Sequence, residues 1–156
     1  RKEKTQMATN FSNLAHEVVT ARKNWGAPKS MQLKTSISTR EIAGKNITID
    51  EVVVVNKKKV DKESKTPIMT KDGKQIYQPV VYVAFDKDYF FASKSAILVE
   101  QFERYTGNKL AVYEEKDFNV TTMKPDLVGA VLKVGTEKVK YRDGKEYDQL
   151  ILLDTE

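Results

Sequence analysis

Apolar positions along the chain divide it into two parts. Residues 1–46 are rich in Asn, Ser, Thr and Lys and poor in large aliphatic side chains. They predict one short helix over Ser12–Arg22, with Leu14, Val18 and Ala21 spaced along one face. Trp25-Gly26-Ala27-Pro28 stops it, because proline holds its predecessor in extended geometry. Such a segment buries too little apolar surface to fold alone, so it reads as an arm packed on its own domain or on a neighbouring subunit.

From Ile47 the pattern changes. Ile47, Ile49 and the run Val52–Val55 are β-branched and predict a long first strand. After a lysine-rich loop with an Asp72-Gly73 turn, residues 76–86 alternate. Tyr77, Val81, Val83 and Phe85 fall on one face, and Gln78, Val80, Tyr82, Ala84 and Asp86 on the other, more polar face. Tyr89-Phe90-Phe91-Ala92 follows as a third strand. A two-residue Lys87-Asp88 turn, the preferred reading, places Tyr89 and Phe91 on the side of Tyr82. A three-residue turn over Asp86 to Asp88 places Phe90 there instead.

Ser93 or Ser95 caps a helix through Thr106, in which Leu98, Phe102 and Tyr105 form the apolar stripe and Gly107 the left-handed stop. Leu110–Tyr113 reads as a short extra strand. Leu127–Tyr141 and Tyr147–Leu153 form the last two strands, with Asp143-Gly144 as the hairpin turn between them. The organisation is therefore a basic arm over residues 1–46, partly helical, and a β domain over residues 47–156.

Composition narrows the class. Of 156 residues, 40% are hydrophobic and 31% charged, enough for one core. Apolar runs are far shorter than the ~20 residues of a membrane helix, and no signal-like segment opens the chain, so a cytoplasmic location is expected. The absence of cysteine excludes a disulfide framework, a thiol nucleophile and cysteine-based metal sites.

The net charge is +5, but its placement is more telling. Residues 1–34 hold seven Lys or Arg against two acids, and residues 57–74 hold seven Lys against three acids. A basic leading segment and a basic loop suit a polyanionic ligand, whose condensed counterions are released on binding.

Strand, strand, strand, helix, strand, strand is the order of a five-stranded Greek-key barrel with its helix between the third and fourth strands, the OB-fold. Over Ile47 to Leu153 the chain resembles the OB-fold single-stranded DNA-binding proteins of phages and conjugative plasmids of Gram-positive bacteria. The resemblance implies a non-enzymatic, largely sequence-independent DNA-binding role in replication or conjugation. It also implies that the ligand crosses strands two and three, between the first-to-second and fourth-to-fifth strand loops. The arm is longer than the family pattern, and the chain ends at Asp154-Thr155-Glu156 rather than in an acidic, aromatic-tipped tail, which argues against tail-mediated recruitment.

Single-strand binding needs cations that follow phosphates and flat rings that stack on bases. The first loop offers Lys57, Lys58, Lys59, Lys62 and Lys65, and the last hairpin interleaves Lys140, Tyr141, Arg142 and Lys145. Tyr82 is the leading stacking candidate, with core packing as its competing role, and Tyr89 and Phe91 join it under the preferred turn. Trp25, flanked by Arg22 and Lys23, either stacks on a base or anchors the arm in an apolar pocket. Were that pocket a neighbour's, the arm would link protomers into an oligomer and make binding cooperative. An adaptor module of a phage or conjugation machine is the alternative function, and RNA binding the third reading.

Catalytic chemistry has little support. His16 is the sole histidine and lies in the arm. Pro125-Asp126 followed by Asp143-Gly144-Lys145 has the spacing of a metal-dependent nuclease, but Asp143-Gly144 already serves as a turn. No phosphate-binding glycine loop occurs. No metal, cofactor or membrane is expected.

Overall fold

The computed structural model describes residue 15, residues 17–20 and residues 22–155. Ser12, Leu14, His16 and Ala21 of the expected first helix lie outside the described residues, while 17–20 and 22–23 are helical.

Among the described residues, seven strands form one strongly curled, half-barrel sheet. They are β1 (Thr35–Ser36), β2 (Asn46–Lys58), β3 (Tyr77–Phe85), β4 (Tyr89–Ser93), β5 (Lys116–Asn119), β6 (Val131–Lys140) and β7 (Glu146–Asp154). Their order is β1-β4-β3-β2-β6-β7, with β5 added on β2. Five strands were expected; β1 and β5 are the two additions. Three helices of an α type accompany the sheet after residue 34: α1 (Thr39–Ile42), α2 (Ala96–Thr106) and α3 (Val120–Met123). No described helix is long and apolar enough to cross a membrane.

The curl originates in β2. Ile49 pairs with Phe85 and Glu51 with Ala84, so Asp50 is an extra residue in the ladder. A bulge of this kind bends a strand and increases its twist. Before the bulge, residues 46–48 pair with β6; after it, residues 53–56 pair with β5, while β3 pairs along the opposite edge from Ile49 to Lys58. One continuous strand thus serves two diverging parts of the sheet.

The main core lies inside the curl. Val52, Val54, Val83, Phe91, Leu98 and Leu110 are among its buried members. The sequence pattern over 95–106 is realised closely. Ser95 Oγ accepts the Leu98 N–H (3.1 Å), and Gly107 ends the helix at φ 69°. Leu98, Val99 and Phe102 bury the apolar stripe.

Residues 110–113 do not form a strand. Asn56, buried in β2, donates Nδ2 to the carbonyls of Leu110 (2.8 Å) and Lys116 (3.2 Å) and accepts the Val112 N–H (3.2 Å). One side chain therefore satisfies backbone groups that a ladder would otherwise pair. The sixth strand also starts later than expected, at Val131, because residues 125–127 form a 3-10 turn and Gly129 takes φ 86°.

The turn between β3 and β4 is the three-residue form. Phe85 pairs with Tyr89 and Ala84 with Phe90, which places Phe90 on the side of Tyr82 and corrects the preferred reading. Asp86 and Lys87 both adopt left-handed φ, 49° and 70°. Two aspartates secure the turn. Asp86 accepts the Thr48 N–H (3.0 Å), and Asp50 at the bulge accepts the Lys87 N–H (2.6 Å).

Candidate nucleic-acid interface

The sheet has a second face, and side-chain alternation sorts its residues. Glu51, Val53, Val55 and Lys57 of β2 share it with Val80, Tyr82 and Ala84 of β3 and Phe90 and Ala92 of β4. Toward the C-terminal end of β2 this face opens into a groove of about 700 Å³. Lys57, Lys58, Lys59, Lys62 and Lys94 line it, Tyr82 contributes to its floor, and none of the described lining residues is acidic. Four of the lysines anticipated from the sequence are thus brought together with Tyr82. Lys94 was not anticipated; its only signal was its position just before the Ser95 cap.

The loop carrying these lysines is folded rather than open. Val60 bridges to Pro67 and Met69 to Gln75. Asp61 accepts the N–H groups of Glu63 (2.8 Å) and Ser64 (3.2 Å), and these two bonds hold its carboxyl below the usual carboxylate range. One of the three acids of the loop is therefore engaged with backbone.

Nearer the N-terminal end of β2 the same face is covered by the chain itself. Ala27 and Met31 pack with Val53, Val80, Tyr82, Ala84 and Phe90 in a second buried cluster, and Met31 has 0% exposure. Tyr82 is only 6% exposed. Its hydroxyl donates to the Gly26 carbonyl (2.9 Å), which also receives Lys57 Nζ (2.8 Å). Lys57 Nζ donates to the Tyr82 hydroxyl as well and sits 4.9 Å from the ring centroid. Tyr82 is therefore not the open stacking surface expected of it: the arm lies across its ring.

Three further expectations are corrected. Phe91 is fully buried in the main core, since the three-residue turn directs it inward. Tyr89 is exposed at the turn, but its ring stacks on Phe85 at 5.8 Å between centroids, outside the groove. Trp25 is not the arm's anchor among the described residues: it is 70% exposed, with the Arg22 guanidinium 5.9 Å from its ring centroid and Lys23 beside it in sequence. Met31, whose lone apolar position in a polar stretch carried no periodic signal, is the actual anchor.

The last hairpin forms as expected. Gly144 takes φ 81°, and the Tyr141 N–H donates to the Lys145 carbonyl (3.0 Å). Lys140, Tyr141, Arg142 and Lys145 are exposed, and the Tyr141 and Tyr147 rings lie 4.9 Å apart. Because β6 pairs with β2 only over residues 131–133, this tip extends past the N-terminal end of β2. It does not line the groove. A separate cavity of about 500 Å³, lined by Lys74, Ile76, Tyr77 and the 86% exposed Tyr113 among others, was not anticipated.

Among the described residues, no three His, Cys, Asp or Glu side chains are grouped to hold a metal ion. The two aspartates with nuclease-like spacing are each engaged elsewhere. Asp126 accepts the Tyr105 hydroxyl (2.6 Å), which pushes that phenol above its ordinary value, and Asp143 accepts the Lys145 N–H (2.9 Å). No protein-family model, curated protein or solved structure matches the chain.

Proposed function

We propose that this protein is an OB-fold single-stranded DNA-binding protein of low sequence preference, acting in the cytoplasm on phage or plasmid DNA. The observation that carries this reading is the five-lysine groove on the β2–β3–β4 face, with no acid among its described lining residues and a tyrosine in part of its floor. Support for the fold comes from the order β4-β3-β2-β6-β7 with α2 between β4 and β6, which parallels the Greek-key order 3-2-1-4-5 of an OB barrel. The lysines supply the salt-sensitive, sequence-independent part of binding, and the hairpin pair Tyr141–Tyr147 supplies exposed rings for stacking.

Fluorescence anisotropy with labelled oligo(dT), a duplex of equal length and oligo(U), across a salt series, tests this. The single strand should bind more tightly than the duplex, and log K should fall linearly with log salt. Salt-independent binding, or a preference for duplex, overturns it; preference for oligo(U) shifts the reading to RNA.

A second reading, a protein-interaction module that assembles through its arm, is favoured by one observation. Val18, Val19, Trp25 and Leu33 are all more than half exposed on the arm. Light scattering with and without oligonucleotide separates the two readings: self-association that ignores DNA supports the module alone.

A further inference from the structure

Residues 24–34 form a strap whose backbone-to-backbone hydrogen bonds all stay within the arm. Its backbone bonds run from Asn24 to Thr20, Ala27 to Asn24, Met31 to Pro28, Gln32 to Lys29 and Lys34 to Met31. Asn24 Nδ2 donates to the Gln32 and Lys34 carbonyls (both 2.9 Å), and Gln32 Nε2 to the Ala27 carbonyl (3.2 Å). The first backbone bond from this region to the sheet comes after the strap, from Thr35 to Asp88 (2.8 Å). What ties the strap itself to the domain is side-chain contact: Met31 and Ala27 in the apolar cluster, Ser30 on Glu51, Lys34 on the Lys87 carbonyl, and Lys57 with Tyr82 on the Gly26 carbonyl. Such a segment can lift as one piece about the Lys34–Thr35 junction without breaking a ladder.

The contact at Gly26 has the chemistry of a ligand contact. An ammonium and a phenolic hydroxyl converge on one oxygen, a donor pair matched to an anionic oxygen rather than to a neutral carbonyl. Close approach is possible because residue 26 has no side chain; a Cβ there would lie 3.1 Å from Lys57 Nζ. Lys57 and Tyr82 also line the open groove, so a ligand in the groove meets the edge of the strap.

We infer that the strap is a displaceable occupant of the ligand face, with the Gly26 carbonyl holding the place of a phosphodiester oxygen at a Lys57–Tyr82 subsite. This rests on the proposed function. A short single strand fills the groove and leaves the strap seated. A longer one continues across β3 and β4, delivers a phosphate to Lys57 and Tyr82, and lifts Met31 from the cluster. The closed strap then lowers apparent affinity by the fraction of molecules that are open.

Tryptic cleavage after the exposed Lys29, followed by mass spectrometry on the full chain, reads strap opening, since cleavage tracks the open population. Anisotropy on the same samples reads binding independently. Saturating long oligo(dT) should accelerate cleavage at Lys29, short oligo(dT) should not, and Met31→Ala should bind long oligo(dT) roughly tenfold more tightly. Gly26→Ala, which disturbs only the flexible end of Lys57, should shift affinity in the same direction by less and serves if Met31→Ala fails to fold. Binding only by the variants also supports the inference. Unchanged or slower cleavage in a saturated wild-type complex overturns it while leaving the function standing. No binding by wild type or by either variant overturns the function itself, and the inference with it.

Discussion

Gln101 of α2 is joined to Leu152 of β7 by two hydrogen bonds, Nε2 to the Leu152 carbonyl (3.0 Å) and the Leu152 N–H to Oε1 (3.1 Å). A side-chain amide here does what a neighbouring strand would do. Ser95 Oγ donates to the Leu150 carbonyl (2.7 Å) one step along the same edge. Around Leu150 and Leu152 the sheet edge is thus closed toward α2 by side chains rather than by a ladder, which blocks that stretch of β7 to another chain.

Gln101→Ala should accordingly destabilise the fold by about 1–3 kcal/mol, since it strands two backbone groups. Urea unfolding measures this. Oligonucleotide affinity of the folded fraction should not change, because Gln101 lies away from the lysine groove.

Asn56→Ala removes three bonds to the 110–116 segment at a buried site, and a loss of roughly 3 kcal/mol is expected. A thermal melt gives the size of the effect. A loss below about 0.5 kcal/mol, typical of surface changes, contradicts the role assigned to this side chain.

Replacing Lys58, Lys59 and Lys62 together by Ala should reduce the salt slope of single-strand binding by about 2, at roughly 0.7 for each phosphate no longer neutralised. Stability should barely move, because all three are exposed and the Lys58–Glu115 pair (3.6 Å) is a surface ion pair. An unaltered slope removes the groove from the binding surface.

Tyr82→Ala and Tyr141→Ala should part company. Tyr82 is buried under the strap, and its truncation should cost about 3–5 kcal/mol of stability. Tyr141 is exposed on the hairpin, and its truncation should leave stability nearly intact and weaken binding by about 1–3 kcal/mol. Chemical denaturation paired with anisotropy for each variant distinguishes the two outcomes.

Acid should loosen the lysine loop before the domain. The folded Asp61 carboxyl titrates below its unfolded value, so its contribution is complete above the ordinary carboxylate range. That contribution fades as pH falls through the lowered value. Amide exchange at Glu63 and Ser64, corrected for its intrinsic pH dependence, should accelerate below about pH 4 in the wild type. Asp61→Asn should show no such step.

The parts of the fold legible in the sequence are those whose signals are local and periodic. Ser95, Leu98, Phe102 and Gly107 mark α2 almost to the residue, and the alternation from Tyr77 to Phe85 gives both faces of β3. The β3–β4 turn departs from its expected form because Asp86 and Lys87 adopt left-handed φ without a glycine to announce it, helped by Asp50 from another strand. The charged half of the site was legible, since lysines crowd one loop. Its aromatic half was not: exposure of Tyr82 depends on Met31, fifty-one positions away, and single apolar residues in a polar stretch carry no period.

Strand β2 touches β3, β5 and β6, and its partners begin at residues 77, 116 and 131. Every half of the sheet is reached through it. A polypeptide wired through such a hub must close large loops before any pairing rewards it, so folding in milliseconds to seconds is the expected regime. Loss of the hub severs both halves at once, and melting should therefore be all-or-none, with no surviving fragment to trap.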